Sequence, residues 1–243
     1  MKLNEYLKQI ESFLKDYLES TKLDSYVLGL SGGIDSSLVG AIARHAVGKD
    51  KLFCYAIDVE SDPKDIEDAK KVAKELDLNL EVINLTETYH NYLKQINGDN
   101  FSRLTKSNLK VRMRMVALFA YAQEHRGLVL GTDNADERYV GYFTKYGDGA
   151  VDILPISQLV KEEVREAAKL YGLSSPLVNR VPTAGLFKGQ TDELEMGVTY
   201  KDLDAYLLGK EIDLKAKERI EYLHKISEHK RIPIPEMKPF KRD

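Results

Sequence analysis

The sequence predicts a three-layer α/β fold in which a parallel sheet is covered by helices on both faces. Short apolar runs of strand length alternate with longer segments of helical periodicity, as in KLFCYAI (51–57) followed by SDPKDIEDAKKVAKEL (61–76). Strands that alternate with helices form right-handed βαβ crossovers, which make the strands parallel. The chain has 243 residues, of which 43% are hydrophobic, so it can bury one large core. We expect a single domain over residues 1–243.

The individual elements follow from the spacing of apolar residues. A first helix is predicted from Leu3 onwards, and strands are predicted at 26–30, 51–57, 78–85 and 128–131. Further helices are predicted at 36–47, 62–76, 86–97, 105–125 and 157–172. Asp62 is expected to cap its helix, with Pro63 in the first turn, and Ser157 is expected to cap the last helix, which Gly172 ends.

Composition excludes several classes of protein. Lys and Arg number 36 against 39 Asp and Glu, a net charge of −3, so there is no basic excess that would indicate a nucleic-acid partner. Cys54 is the only cysteine, which rules out an intrachain disulfide and suits the cytoplasm. No run of apolar residues is long enough to span a membrane, and the first residues lack the apolar core of a signal peptide.

The stretch YVLGLSGGIDSSLVG (26–40) joins a strand to a helix through two glycines. Successive backbone N–H groups in such a turn form a concave site for an oxyanion, and the helix N-terminus favours negative charge there. The turn carries Asp35 and no lysine, and a carboxylate tolerates a phosphate only across a cation, which predicts Mg²⁺. The alternative is that Gly32 and Gly33 only make a tight turn, with Asp35 an acid favoured by the helix dipole.

SGGIDSS (31–37) resembles the pyrophosphate loop of the N-type ATP pyrophosphatases, which cleave ATP between its α and β phosphates. GTDNADERYVGYFTKYGDGAVDILPISQLVKEEV (131–164) is more specific and resembles the NAD synthetases of that superfamily. Three further stretches resemble the same family, namely 108–115, 182–204 and 228–240. The resemblance covers nearly the whole chain. It implies a Rossmann-like, adenine nucleotide alpha-hydrolase-like fold, and we expect the strand order 3-2-1-4-5.

In that strand order the first and fourth strands flank the point where the winding of the sheet reverses, and ligands bind outside the carboxyl ends of strands at such a point. Asp35 follows the first strand and Glu137 follows the fourth. Both acids can therefore face one crevice and hold the metal of a Mg²⁺–ATP complex. The alternatives are that Glu137 is a solvated helix acid and that Thr132, at the same strand end, is a simple N-cap.

The resemblance also implies the residues that bind each substrate. ATP would contact Gly29, Leu30, Ser31, Gly32, Gly33, Ile34, Asp35 and Ser36, together with Thr132, Lys161 and Thr183. The second substrate, deamido-NAD, would contact Arg112, Lys145, Asp152, His229 and Lys230. Lys161 would stabilise the charge that develops on the phosphates, and Asp148 would bind ammonium and help to remove its proton. The alternatives are ordinary surface charges at Lys161 and Arg112, a turn aspartate at Asp148 and a frayed helix end at 229–231.

The reaction that the family implies has two steps. The nicotinate carboxylate attacks the α-phosphate of ATP to give an acyl-adenylate and diphosphate, and ammonia then displaces AMP to give NAD. We expect free ammonia because the chain has no room for a glutaminase domain and Cys54 lies inside a strand, where a core role is expected. We also expect a homodimer and two lids, at 142–150 and 184–196, that order on substrate binding.

Three rival functions remain open at this point. Two are other enzymes with the same loop, an adenylating amidotransferase for another substrate and a tRNA-thiolating ligase. The third is a nucleotide-binding regulatory module without turnover. Such a module needs Gly32, Gly33 and Asp35, but it has no use for Glu137, Lys145 and Lys161 together.

Overall fold

The computed structural model describes residues 1–178 and 191–241. Its centre is a parallel sheet of β1 (Ser25–Gly29), β2 (Leu52–Asp58), β3 (Asn79–Asn84) and β4 (Gly127–Leu130). The strand order is β3-β2-β1-β4, and all neighbours are parallel. The predicted α/β class and the order of the first four strands are therefore confirmed.

The predicted fifth strand is reduced to a single bridge in the described residues. Ile153 forms an isolated parallel bridge with Leu130, beyond the edge of β4. The Asp152 side chain accepts a hydrogen bond from Val129 N–H at 2.7 Å. A carboxylate therefore occupies an N–H group of β4 that would otherwise donate to a fifth strand. Pro155 follows closely and has no N–H with which to extend the ladder.

Eleven α-helices lie around the sheet in the part of the chain that the structure describes. Those near the sheet are α1 (Leu3–Thr21), α2 (Ile34–Val47), α3 (Pro63–Glu75), α4 (Thr86–Gln95) and α5 (Arg103–Glu124). Those after β4 are α6 (Ala135–Val140), α7 (Lys161–Leu170), α8 (Ser175–Val178), α9 (Asp192–Met196), α10 (Tyr200–Leu207) and α11 (Leu214–Ile226). Over the described residues, no helix combines the length and the apolar character needed to cross a membrane.

The helices cover both faces of the sheet because successive strand residues point to opposite sides. On β1, Tyr26 and Leu28 belong to a buried cluster with residues of α1, α2 and α7, whereas Val27 belongs to a second cluster with residues of α4 and α5. Cys54 is buried in the first cluster, which confirms the expected core role. The arrangement is the predicted sandwich of three layers.

The sequence rules for helix N-caps succeed at α3 and fail at α7. Asp62 caps α3 as predicted, accepting from Lys64 N–H at 2.9 Å, and Pro63 is the first helical residue. The prediction that Ser157 caps α7 is wrong, because α7 begins only at Lys161. Its first N–H groups donate instead to two carboxylates from distant parts of the chain, which are described with the site.

The β1–α2 turn requires glycine at Gly32 for two reasons. Its φ is +77°, in the left-handed region, and a Cβ added there would lie 2.8 Å from the backbone nitrogen of Ala69 and 2.9 Å from the carbonyl oxygen of Asp65. The turn thus lies directly against the backbone of α3. Only a residue without a Cβ permits both the conformation and the close approach.

We expect Gly32→Ala to lower the free energy of unfolding by more than about 2 kcal/mol, since backbone strain and a steric clash act together. Gly172→Ala is the matched control, because Gly172 has the same φ of +77° but no atom within 4 Å of an added Cβ. That variant should lose only about 1–2 kcal/mol, the cost of a left-handed conformation. Urea denaturation of both variants measures the difference, and equal losses would contradict the packing argument.

Candidate active site

A cavity of about 780 Å³ opens at the carboxyl ends of β1 and β4, the position at which open α/β sheets bind ligands. Most of the predicted substrate-binding residues line it: Gly29, Leu30, Ser31, Gly33, Ile34, Asp35, Ser36, Arg112, Thr132, Glu137, Lys145, Asp148, Lys161, His229 and Lys230. The structure therefore brings together residues from both ends of the chain. The volume is in the range of ordinary small-molecule sites.

Three predicted residues are not among those that line the cavity. Gly32 packs against α3 instead and sets the course of the turn. Asp152 is bonded to Val129 N–H at the sheet edge through Oδ2, so the backbone uses one of its two carboxylate oxygens. Thr183 lies outside the described residues, as does most of the predicted lid at 184–196.

In the β1–α2 turn, serine hydroxyl groups accept hydrogen bonds from backbone N–H groups that could also donate to a bound anion. Ser31 N–H donates to Ser36 Oγ at 3.2 Å, and Gly33 N–H donates to Ser31 Oγ at 3.2 Å. The hydroxyls of Ser36 and Ser37 in turn donate to the Gly33 carbonyl. Neutral hydroxyls are weaker acceptors than phosphate oxygens, so a phosphate can replace them as the acceptor of these N–H groups.

Lys161 is the centre of the site. Its side chain is only 1% exposed, and its Nζ lies 2.6 Å from Asp35 Oδ2 and 3.5 Å from Glu137 Oε1. Burial acts to lower the pKa of Lys161, but the negative charges of Asp35 and Glu137 outweigh it, so the pKa is raised. The alternative that Lys161 is a solvated surface lysine is therefore wrong, and the prediction that Asp35 and Glu137 face one crevice is confirmed by their common partner.

Asn134 orients both acids. Its Nδ2 donates to Asp35 Oδ1 at 2.9 Å. It is also the N-cap of α6, where its Oδ1 accepts from Glu137 N–H at 3.0 Å and its own N–H donates to Glu137 Oε2 at 3.2 Å. This reciprocal capping box fixes the glutamate at the helix start. Because Asn134 is the cap, the reading of Thr132 as a simple N-cap is wrong.

Tyr200 closes the site from the side of α10. Its hydroxyl donates to Glu137 Oε1 at 3.0 Å and lies 3.1 Å from Asp192 Oδ2, and its ring centre is 4.7 Å from Lys161 Nζ. Burial is the largest cause of a rise in the pKa of Glu137 to about 7, with the charge of Lys161 opposing it and that of Asp35 adding to it. The ammonium group of Lys161 and the ring of Tyr200 thus form a cation–π contact.

The start of α7 places Lys161 through contacts that no local pattern shows. Lys161 N–H lies 2.7 Å from Asp136 Oδ2 and 2.9 Å from Asp204 Oδ1, and Glu162 N–H donates to Asp204 Oδ2 at 3.1 Å. Carboxylates are favourable partners for the exposed N–H groups of a helix N-terminus. The side chain of Lys161 therefore leaves a helix end that is fixed on two sides.

Basic residues from α5, the 142–150 loop and residues 228–230 also line the cavity. Arg112 donates to the carbonyl of Lys145 at 3.1 Å, and Lys145 Nζ donates to the carbonyl of His229. Lys230 Nζ donates to the carbonyls of Gly141 and Phe143, each at 2.6 Å. Since residues 228–230 form a 3₁₀ turn tied to these loops, the alternative of a frayed helix end is wrong. Cations here suit the phosphates and the carboxylate of a dinucleotide.

Asp148 is part of a turn and also lines the cavity. Its Oδ1 accepts from Thr144 N–H at 2.6 Å, as expected of a turn aspartate. It also lines the cavity, so the turn places a carboxylate at the cavity wall. The loop that carries it, within 142–150, is bonded to both α5 and the 3₁₀ turn in this structure.

The donors fit a magnesium ion bound together with a nucleotide. Asp35 and Glu137 are two acids that already share one cationic partner, and Mg²⁺ in such sites takes one or two carboxylates plus phosphate oxygens and water. Among the described residues, no group of three or more His, Cys, Asp or Glu side chains is arranged to hold a metal by itself. The protein ligands thus suit a metal that arrives with ATP.

The sheet, the turn after β1 and the paired acids define the class of protein as a nucleotide-binding α/β enzyme with its site at the topological switch point. A sequence model described as NAD synthase matches residues 6–234. The chain belongs to the NAD synthase family, and it is accordingly a ligase. The similarities found give no support to the rival amidotransferases, to a thiolating ligase or to a regulatory module.

Several relatives are similar over the whole chain. The NH₃-dependent NAD⁺ synthetase of Mesoplasma florum is 41% identical over 244 residues and is covered in full, as is this chain. The solved structure of an NMN synthetase from Francisella tularensis has a TM-score of 0.92 at 36% identity, covering 99% of this chain and 100% of that one. The NH₃-dependent NAD synthetase of Campylobacter jejuni has a TM-score of 0.82 at 25% identity, covering 98% and 100%.

Stability measured against pH in the absence of magnesium tests the environment of Glu137. Its pKa of about 7 in the folded state lies above the ordinary glutamate value of 4.5, so ionisation of Glu137 destabilises the fold as pH rises from about 4.5 to 7. Glu137→Gln cannot ionise. We expect its free energy of unfolding, relative to the unmodified chain, to rise by roughly 2–3 kcal/mol between pH 5 and pH 8.

Urea denaturation at both pH values, with EDTA present, gives this difference. Glu166→Gln, at an exposed position of α7, controls for a carboxylate-to-amide change. A difference for Glu137→Gln that stays constant or falls as pH rises would contradict the raised pKa.

Proposed function

We propose that this cavity carries out the ATP-dependent amidation of deamido-NAD with ammonia, which yields NAD, AMP and diphosphate through an acyl-adenylate. The observation that carries the proposal is the buried Lys161, whose ammonium group meets Asp35 and Glu137 where the β1–α2 turn opens to the cavity. Adenylyl transfer needs such a fixed cation beside the α-phosphate. Membership of the NAD synthase family indicates that the acceptor of the adenylyl group is deamido-NAD.

In the first step the β1–α2 turn would hold the triphosphate of ATP by its backbone N–H groups, with Thr132 at the neighbouring strand end. Asp35 and Glu137 would hold Mg²⁺, which neutralises charge on the phosphates and the leaving diphosphate. Lys161 stabilises the negative charge that develops on the α-phosphate, and being already oriented it needs no rearrangement. Catalysis of this kind rests on positioning and electrostatics, without a covalent enzyme intermediate.

The basic residues that line the cavity would hold deamido-NAD. Arg112, Lys145, His229 and Lys230 are among them and match the phosphates and the nicotinate carboxylate. Asp152 can fulfil its predicted role with one oxygen only. Its Oδ2 accepts from Val129 N–H, which leaves Oδ1 to accept from a ribose hydroxyl. We retain it only as a hydrogen-bond acceptor for ribose.

Ammonia is the proposed nitrogen donor in the second step. The Mesoplasma florum relative, which is covered in full, carries the name NH₃-dependent, and the cysteine of this chain is buried in β2. Asp148 would bind the incoming ammonium and take a proton from it. We further propose that the protein acts as a homodimer in the cytoplasm, for which the apolar side chains exposed on α4 and α5, such as Tyr92 and Val116, and the single-cysteine composition are the support.

A second candidate acceptor is the mononucleotide that corresponds to deamido-NAD. It is favoured by the TM-score of 0.92 to the Francisella tularensis protein, which is named for NMN as its product. Both acceptors present the same nicotinate carboxylate, so the chemistry at Lys161 is identical. They differ in whether the cavity also holds an adenylate group.

Mass spectrometry of purified protein with ATP, Mg²⁺, ammonium and either acceptor tests the proposal directly. We expect amide product, AMP and diphosphate in equal amounts, with deamido-NAD the better acceptor. Ammonium should support the reaction and glutamine should not. Diphosphate release without any acceptor, or product from glutamine alone, would contradict the proposed reaction, and a preference for the mononucleotide would establish the second candidate.

Lys161→Met should lower kcat for diphosphate release about 100- to 1,000-fold while changing the KM for ATP little, because the lost charge acts mainly in the transition state. Lys169→Met is the matched control, since Lys169 is exposed on the same helix. Steady-state kinetics of both variants provides the measurement. A large rise in KM with unchanged kcat for Lys161→Met would show that the lysine only binds ATP.

A further inference from the structure

Asp133 is an acid of the cavity to which the two-step reaction gives no task. It follows Thr132 directly beyond β4 and lines the same cavity as Asp148. It is only 4% exposed, and its Oδ2 has no hydrogen-bond partner within the part of the chain that the structure describes. A buried carboxylate oxygen without a partner is costly and calls for a proton or a cationic ligand.

The charges around Asp133 are mainly negative. Asp148, Glu137 and Asp35 face it as acids, against Arg138 and Lys230 as cations. Lys230 directs its Nζ to the carbonyls of Gly141 and Phe143, so it does not pair with the free carboxylate oxygen. The pKa of Asp133 is raised well above its ordinary value. Burial is the largest cause, and the charge of Asp148 is the second.

A small cation that can give up protons matches this environment, and the second step of the proposed reaction supplies one. Ammonium must lose one proton to become a nucleophile. When its nitrogen forms the C–N bond, the bond between the carbonyl carbon and the adenylate oxygen breaks and AMP leaves with the electron pair. The attached nitrogen then loses another proton, so an amide made from ammonium releases two protons in all, and one carboxylate can accept only one of them.

We propose that Asp133 and Asp148 together bind ammonium at the acyl-adenylate and that each accepts one of the two protons it releases. The proposal rests on the proposed function and adds a catalytic residue to it. An ammonium ion between the two side chains favours their ionised forms, so the site is charged for proton transfer only when its substrate is bound. Because Oδ2 of Asp133 is shielded from solvent, the side chain would rotate towards the cavity to accept an N–H group of ammonium.

Asp133→Asn tests this assignment, with the two half-reactions measured separately. Deamido-NAD-dependent exchange of labelled diphosphate into ATP, without ammonium, reports adenylation and should stay within about twofold of the unmodified protein. NAD formation from ammonium should fall about 100-fold or more in kcat/KM for ammonium, the range for loss of a general base. Asp50→Asn, at an exposed site in the 3₁₀ turn before β2, is the control.

Hydroxylamine separates chemistry from structure, because at pH 7 it is largely neutral and releases one proton fewer. Asp133→Asn should therefore lose at least tenfold less activity with hydroxylamine than with ammonium. Equal losses with both nucleophiles, a parallel loss of diphosphate exchange, or unchanged NAD formation would each overturn the proposal. If the asparagine variant does not fold, Asp133→Ser takes its place in the same comparison.

A cation competition with the unmodified protein gives an independent result. Rubidium, which is close to ammonium in size, should inhibit competitively against ammonium and leave diphosphate exchange unaffected, whereas absence of competition counts against a cation site. Failure of the proposed function itself looks different, since the unmodified protein would then show no exchange that depends on deamido-NAD.

Discussion

A lysine ammonium group that is almost completely removed from water can persist only if anions are held against it, and this constraint organises the structure. Lys161 has an exposure of 1% and lies against Asp35 and Glu137. Those acids belong to α2 and α6, which follow β1 and β4. The triad therefore ties the two strands at the switch point to α7. Breaking a buried pair by removing one partner leaves an uncompensated charge, typically at a cost of about 3–5 kcal/mol.

The same constraint explains the carboxylates at the start of α7. If Lys161 is to reach both acids, the first turn of its helix must be fixed, and Asp136 and Asp204 fix it through the N–H group of Lys161. Burial, followed by the charge of Asp204, raises the pKa of Asp136 to about 8. Near neutral pH Asp136 therefore favours its protonated form, which relieves the repulsion between two acids at one helix end. Residues of α6 and α10 thus fix the start of α7 and, through it, the position of Lys161.

The sequence predicts those parts of the site that depend on local chemistry and on sheet topology. Glycines and serines at a strand-to-helix junction predict the turn, and parallel strands that end at one edge predict that Asp35 meets Glu137. Contacts between distant segments have no local signal. The sequence therefore does not reveal Tyr200 and Asp204, and it wrongly indicates Ser157 as the cap of α7. Asn134 could have been found, because an asparagine three residues before a glutamate is a capping-box pattern.

The distribution of charge along the cavity supplies a reason for the order of the substrates within it. Asp35 and Glu137 share Lys161 as their partner, whereas Arg112 and Lys145, which line the same cavity, donate to backbone carbonyls. A triphosphate is repelled by the acids unless it brings a divalent cation, whereas an anionic dinucleotide is attracted to the bases without one. These charges would thus favour a metal-bound triphosphate beside Asp35 and Glu137 and an anionic dinucleotide beside Arg112 and Lys145. In the proposed reaction, Lys161 would offset the repulsion between the nicotinate carboxylate and the α-phosphate.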